Sequence, residues 1–439
     1  MKRARSPAPP EAATSAPAEA ETSAPAEAAT HVPAEVATSA PAEAATSAPA
    51  EAATPAPAKA ATSSPAEAAT SSMPLACAAS HADWLALVTD GARREAALAA
   101  HAGGEDAEAA REAKGERALL LARAFAHPRD ARIRFEEGAH AYFLDGERVP
   151  LSVSGLWVRY FSHFDAGGAL RNLEKWRSDR KSPYFLLLRC MDLEGVPREE
   201  QPRRVRQLWQ ESGAHASGAG TALHRAIELR LNGVDAPPPP AAAPAWRTAK
   251  GSPWHSLLSL LDGRPEEERA RAIREVAASA DADADEARAL LEPRESSEWQ
   301  QFLDWRCARP DLVPVRCEMN VYSEEHALAG QLDALFWDSA ASHFTLVDWK
   351  RVQALEREAY GGRTGKPPFQ DVPDCNSGHY WVQQNLYAAL LRDNYGIDCA
   401  KMYLVQLHPT LETWQEHEVP DLRAEVATML AERAAEVKK

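Results

Sequence analysis

Three short apolar runs, Val313–Tyr322, Ala327–Trp337 and His343–Arg351, follow one another with only turn-like residues between them. That succession constrains the fold more than any other feature of the chain. Runs of this length with alternating apolar positions read as β-strands, because successive strand side chains point to opposite faces. Helical spacing returns at His379–Asn394, and two further strand-like runs follow at Lys401–His408 and Thr413–Val419. A last helix begins near Asp421, with Leu422, Val426, Met429 and Leu430 striping one face. The order helix, three strands, helix, strand predicts an α/β (α+β) domain: a central mixed β-sheet flanked by helices.

Upstream of the strands the reading is mostly helical. Residues 81–126 are alanine-rich with leucines at helical spacing, whereas Arg132–Glu147 reads as a strand pair turning at Asp145-Gly146. Ser152–Phe164 begins as a serine-capped helix and ends in aromatics. Val205–Trp209 is expected to lead through a glycine-rich stretch, Gly213–Gly220, into a helix at Thr221–Leu231. The proline run Pro237–Pro240 and the alternating Asp/Ala near Asp281–Asp285 bracket an apparent surface insertion over about residues 235–297, after which Trp299–Trp305 resumes an amphipathic helix. Tyr160, Phe161, Phe164 and Trp176 have the character of core aromatics, with base stacking as the alternative.

The first seventy-odd residues contribute nothing to a core. From Thr14 a unit close to Thr-Ser-Ala-Pro-Ala-Glu-Ala-Ala restarts every eight residues. Proline in each unit interrupts any helix the alanines favour, and there are no aromatics to bury. The expected layout is a disordered tail over 1–74, a helical N-terminal extension over 75–130 and the main domain over 131–439. The net charge is −15. Four basic and eight acidic residues put −4 of this in the tail and −11 in the remainder. So acidic a body is unlike a general nucleic-acid-coating protein, yet compatible with local phosphate contacts and acidic metal ligands.

The six cysteines are scattered, with no CxxC pair, so neither a zinc finger nor a cysteine-held iron–sulfur cluster is expected. No apolar run is long enough to span a bilayer, and the N-terminus lacks a secretory apolar segment. An intracellular protein is expected, with Met1-Lys2-Arg3-Ala4-Arg5 a weak nuclear or organellar signal.

Chemistry concentrates at Asp348-Trp349-Lys350, which closes the apolar run Phe344–Val347. In a strand Asp348 and Lys350 share one face while Trp349 packs behind. One strand earlier, Gln331, Asp333 and Leu335 share a face. A hairpin turning near Ser339–Ser342 would bring both carboxylates and the ammonium together. Phosphodiester hydrolysis uses such a set: carboxylates hold Mg²⁺ or Mn²⁺, the ion activates water, and a lysine orients that water or neutralises developing charge. A surface salt bridge at a strand end is the plain alternative. His224 and Glu228 lie four apart on one helical face, where the imidazole could complete a metal shell or serve a structural role. Gln383 and Tyr387 are likewise four apart. Arg351, Arg357, Arg363 and Lys366 could track phosphates or simply be solvated.

The order Gly220-Thr221-Ala222-Leu223-His224…Glu228, Gly330-Gln331-Leu332-Asp333, Asp348-Trp349-Lys350 and Gln383-Gln384-Asn385-Leu386-Tyr387 resembles the PD-(D/E)XK nuclease superfamily, in its RecB-like exonuclease branch. The likeness covers roughly Ser152 to His408 and is sharpest between Glu318 and Tyr387. It implies a restriction-endonuclease-like core and a Mg²⁺- or Mn²⁺-dependent deoxyribonuclease. The implied activity is exonucleolytic, on single-stranded DNA or free ends, in repair, replication or organellar DNA maintenance. His224, Asp333, Asp348 and the Trp349 carbonyl would be metal ligands and Lys350 the catalytic lysine. Gln383 and Tyr387 would support the site and touch DNA, with Glu318 in an outer shell and Glu228 in support. Leu332 replaces the proline of the nominal motif, the cysteine cluster of iron–sulfur members is absent, and the insertion has no counterpart. Two other readings remain: a silent nuclease-fold module that binds nucleic acid, and an interaction protein working through its tail.

Overall fold

The computed structural model describes residues 80–102, 119–234, 253–261, 264–283 and 298–439, so the repeat tail lies outside the described residues. Helix α1 (His81–Thr89) starts at Ser80, whose hydroxyl accepts the Asp83 N–H, and is followed by α2 (Gly91–Ala102) and α3 (Leu120–Ala124). Next come three short antiparallel strands, β1 (Ile133–Glu136), β2 (Ala141–Leu144) and β3 (Glu147–Arg148). This differs from the expected strand pair. Asp145-Gly146 does turn the chain, with φ of +51° and +90°, but it joins β2 to β3. The β1–β2 turn is at residues 137–140, where His140 takes φ +45°.

A two-residue strand, β4 (Leu151–Ser152), runs into α4 (Val153–Trp157), with the Ser152 hydroxyl accepting the Gly155 N–H at 2.9 Å. Then α5 (Ala166–Leu170), α6 (Leu173–Ser178) and α7 (Phe185–Leu193) lead to α8 (Gln201–Leu231). Here sequence reading is corrected. The glycine-rich stretch is the middle of one continuous 31-residue helix, not a lead-in to a helix that starts at Thr221. Interleaved alanines keep helix propensity up despite Gly213, Gly218 and Gly220. Packing at both ends does the rest: Val205 and Leu208 join one core, Leu223 and Ile227 another.

The insertion is corrected too. Its described parts, α9 (Pro253–Leu261) and α10 (Glu266–Ala280), are not a surface appendage. Trp254, Leu257, Leu261, Ile273 and Val276 bury themselves against Trp176, Tyr184, Leu187 and Leu208 in a separate helical core. Trp176 is 1 % exposed and stacks on Tyr184 with ring centroids 4.3 Å apart, and Phe161 is also buried, so both are core aromatics.

The chain continues through α11 (Glu298–Ala308), β5 (Leu312–Ser323), β6 (Leu328–Asp338), β7 (His343–Lys350), α12 (Asn376–Tyr395), β8 (Cys399–Gln406), β9 (Gln415–Glu418) and α13 (Arg423–Val437). The main sheet has the order β4-β6-β7-β8-β9, with β5 also paired to β6. Pairs β5–β6, β6–β7 and β8–β9 are antiparallel, whereas β4–β6 and β7–β8 are parallel. The crossover from β7 to β8 through α12 makes the second of these parallel, as such connections do. One face of the sheet, with Leu335, Phe344 and Leu346, packs on Val382, Leu386 and Leu390 of α12 and on Val426 and Met429 of α13. The other face, with Ala334, Phe336, Val347 and Trp349, packs on Leu223 and Ile227 of α8 and on Phe302 and Trp305 of α11. The expected mixed sheet between helices is the observed fold.

Gly330 explains one motif residue by close approach. A Cβ there would lie 2.7 Å from Val153 Cγ2 and 2.8 Å from Tyr387 Cε1, so α4 and α12 both close onto β6 at this point. Gly330→Ala is expected to cost about 1–3 kcal/mol through overpacking, measured by urea unfolding. An unchanged midpoint would show that the two helices yield without strain.

Candidate functional site

The site begins as a fork in the sheet. β7 pairs with β6 from His343↔Asp338 as far as Val347↔Ala334. Nearer its start, β6 pairs instead with β4, through Leu328 and Ala329. Within a few residues β6 has changed neighbours, while β7 stays on β8 as far as Lys350↔Gln406. The fork therefore opens beside Asp333 and Asp348. A backbone amide there loses its ladder partner and needs another acceptor. Trp349 N–H donates to Asp333 Oδ2 at 2.9 Å, and the Trp349 carbonyl lies 3.0 Å from His224 Nε2. The indole side chain, 2 % exposed, is held behind the sheet edge-on to Trp305 and Phe302, at centroid distances of 4.8 and 5.5 Å.

Asp348 and Lys350 emerge on the opposite face, toward α12. Asp348 is 2 % exposed; its Oδ1 accepts from Gln384 Nε2 at 2.8 Å and its Oδ2 lies 2.6 Å from Lys350 Nζ. Burial, then the neighbouring Asp333, raises the Asp348 carboxyl to about 6 in spite of Lys350. Burial works against the charge on Lys350, but Asp348 and Asp333 outweigh it and hold the ammonium above its ordinary range. Lys350 Nζ also sits 4.4 Å from the centre of the Tyr380 ring and 3.5 Å from Gln383 Oε1.

A second group gathers at the mouth of the fork. Glu318 lies across from Asp333, between the pairs Cys317↔Ala334 and Met319↔Leu332. It takes φ +46°, a left-handed conformation uncommon for glutamate, and its carbonyl accepts from the Gln331 side chain at 3.1 Å. His224 Nδ1 lies 3.6 Å from Asp333 Oδ2 and 3.8 Å from Glu318 Oε1. Burial disfavours the imidazolium, yet Asp333 and Glu318 push its pKa up to about 9. The Asp333 carboxyl is itself raised, by burial first, against the pull of His224. One ligand atom from each of His224, Glu318 and Asp333 falls within 4.8 Å of the others. Two carboxylates and an imidazole suit a divalent cation.

The structure thus brings His224, Glu318, Asp333, Asp348, Trp349 and Lys350 together, with Glu318 level with His224 and Asp333. Asp348 lies outside that group, engaged by Lys350 and Gln384. Glu228 turns to Arg225 instead. Tyr387 is buried beneath Gly330 with its phenol pushed well up, so it supports the site from within the core. Arg351 is corrected as a phosphate contact: it is nearly buried in an ion pair with Glu298 of α11. Lys366 Nζ donates to the Arg159 carbonyl, while Arg357 and Arg363 remain exposed. Gln384 and Tyr380 were missed by sequence reading. Their signal was a helical stripe, Tyr380, Gln384, Tyr387, next to the 383/387 pair that was chosen.

A family model described as the PD-(D/E)XK nuclease superfamily matches residues 201–439. The chain belongs to that superfamily. The matched span begins with α8 and takes in His224, Glu318, Asp333, Asp348, Trp349 and Lys350. PD-(D/E)XK proteins are in general nuclease-type phosphodiester hydrolases. No curated protein matches the chain. Among the described residues no helix is long and apolar enough to cross a membrane.

Because burial raises the Asp333 carboxyl, Asp333→Asn should remove a disfavoured charge while keeping an acceptor for the Trp349 N–H. A higher melting temperature is expected for this variant in differential scanning fluorimetry without added metal. A lower melting temperature would mean that the carboxylate stabilises the apo fold.

Proposed function

We propose that the protein is a divalent-metal-dependent deoxyribonuclease of the RecB-like exonuclease type, using Mg²⁺ or Mn²⁺. On this reading it acts on single-stranded DNA or free DNA ends, in DNA repair, replication or organellar DNA maintenance. The observation that carries the reading is the fork. A buried Asp348–Lys350 pair and a His224–Glu318–Asp333 group face one opening between β6 and β7. A structural ion pair has no need of three more ionisable groups crowded beside it. The preference for DNA and for exonuclease action rests on the motif order Gly330–Asp333, Asp348–Lys350, Gln383–Tyr387.

His224, Glu318 and Asp333 would hold the cation, with Asp348 and the Trp349 carbonyl at its margin. When bound, a divalent ion polarises a phosphoryl oxygen and lowers the pKa of a coordinated water. The chain itself supplies the rest. Lys350 stays protonated, because two carboxylates hold it so, and can place a positive charge beside the phosphate undergoing attack. Tyr380 and Gln383 limit where that ammonium can swing. Gln384 fixes Asp348, so the carboxylate that positions Lys350 does not rotate away. Trp349, locked between aromatic rings, keeps its backbone at the fork.

Purified protein is expected to degrade DNA with Mg²⁺ or Mn²⁺, and Asp348→Asn or Lys350→Met to lower the rate by at least a hundredfold, about 3 kcal/mol of transition-state stabilisation. If the wild type cleaves neither DNA nor RNA with either metal, the reading is wrong. Blocked-end substrates distinguish exonuclease from endonuclease action.

A second expectation concerns pH. The imidazole is protonated below about 9, and a metal ligand must be neutral. Metal binding therefore releases a proton and weakens as pH falls from 9 toward 6. Calorimetry at pH 7.5 in two buffers of different ionisation enthalpy should show about one proton released per ion; heats independent of buffer would contradict it.

A further inference from the structure

Lys350 is the last residue of β7, and the strand has already lost β6 as a neighbour there. On its other side β8 still holds it, through the pair Lys350↔Gln406 and the Leu407 N–H donated to the Lys350 carbonyl at 2.9 Å. A strand end held along one edge can still turn about its own axis. Such a turn would carry the ammonium away from Asp348, and what opposes it lies behind the sheet.

Side chains alternate along the chain, so Trp349 and Arg351 both point away from the Lys350 face and toward α11. The Trp349 indole lies against Phe302 and Trp305, and the Arg351 guanidinium is ion-paired to Glu298. Glu298, Phe302 and Trp305 follow one another at spacings of four and three residues, so they form a single stripe of α11. One helix stripe thus grips the chain immediately before Lys350 and immediately after it. With the backbone fixed on both sides, the torsions of the Lys350 side chain are the main freedom left to its ammonium. Asp348, Gln383 and Tyr380 confine those.

The grip after Lys350 is an unusual one. The Arg351 side chain is 9 % exposed and that of Glu298 4 %. Burying such a pair takes two charges out of water, and apolar residues of similar volume often serve stability as well or better. An ion pair offers a direction that an apolar contact lacks, because a planar guanidinium meets a carboxylate over a restricted range of angles. Glu298 also stands in the first turn of α11, where the helix dipole favours its negative charge. We propose that Glu298 and Arg351 are positioning residues for Lys350: their buried pair fixes the backbone behind the ammonium, and thereby the point at which its charge meets the phosphate. The proposal rests on the nuclease reading and adds to it two residues that act on the reaction only through Lys350.

The test compares Glu298→Gln with the double variant Glu298→Leu/Arg351→Met, each in the full chain with Mg²⁺ and well below its melting temperature. Both are expected to lower kcat for DNA cleavage by about ten- to a hundredfold, the order of effect that a displacement of about 1 Å produces at a reacting centre. KM should stay unchanged. The urea midpoint should fall in Glu298→Gln, which leaves Arg351 buried without its partner charge, and return toward the wild-type value in the double variant, where both charges are gone. Low kcat at restored stability separates positioning from folding. In a Lys350→Met background, Glu298→Gln should lower the remaining rate no further, because the pair then has no ammonium to position. Wild-type kcat in the double variant, or a further tenfold loss in the Lys350→Met background, would overturn the proposal and leave the nuclease reading standing. A wild type that cleaves no nucleic acid would overturn both.

Discussion

The hydrogen bond from the Trp349 backbone to Asp333 is the contact on which the site's geometry depends. Where β7 leaves β6, a backbone amide would otherwise be buried without a partner, at a cost of about 1–3 kcal/mol. The Asp333 carboxylate accepts it at 2.9 Å and so turns a break in the ladder into a defined fork. One residue on either side, Asp348 and Lys350 are then fixed on the α12 face, and the Trp349 carbonyl is fixed next to His224. The buried indole makes this rigid, because rotating the strand would pull Trp349 out from between Trp305 and Phe302. Site geometry is thus tied to the aromatic core on the far side of the sheet.

Electrostatics at the fork are unfavourable to the metal-free fold, in a direction that serves the proposed chemistry. Three acids, Glu318, Asp333 and Asp348, lie near one another with little access to water, and burial raises two of them. Two cations offset this, Lys350 on one side and protonated His224 on the other. They are not equivalent. Lys350 is pinned by Asp348 and faces Tyr380, whereas His224 holds its proton only because Asp333 and Glu318 lie within 4 Å. On the proposed function, the imidazole is the charge that a metal ion would displace, and the ammonium the one that would stay. On the same reading, stability given up by crowding carboxylates would be recovered when a cation binds.

Much of this was legible in sequence, for identifiable reasons. Strand period and order gave the mixed sheet, and the i, i+2 spacing of Asp348 and Lys350 placed both on one face with Trp349 behind them. Asp333 was found because it occupies the matching place one strand earlier. What stayed hidden depends on tertiary context. Glu318 looked peripheral because a regular strand aligns it with Asp333 without turning it into the opening; its φ of +46° could not be read from residue identity. Gln384 was passed over for its neighbour because one residue on a helix changes the direction of a side chain by about 100°. Arg351 looked like a free cation, since its partner Glu298 lies more than fifty residues away. The helix start expected at Thr221 followed from propensity alone, which long-range packing overrode.

That long helix also ties the site to the rest of the molecule. At about 1.5 Å per residue, 31 residues span roughly 46 Å. Its N-terminal half is held by Val205 and Leu208 in the helical core, and its C-terminal half by Leu223 and Ile227 beneath the sheet. Between them, Ser212–Gly220 offers only small side chains to pack apart from the exposed His215, so its course is set by the two ends. His224 lies one turn beyond this stretch, at the point where the helix meets the sheet. The imidazole therefore reaches Asp333 and Glu318 from a helix whose axis is set jointly by two separate cores. The residues inserted at α9 and α10, although distant in sequence from every site residue, act on the site through that axis, because they complete the core that holds the far end of α8.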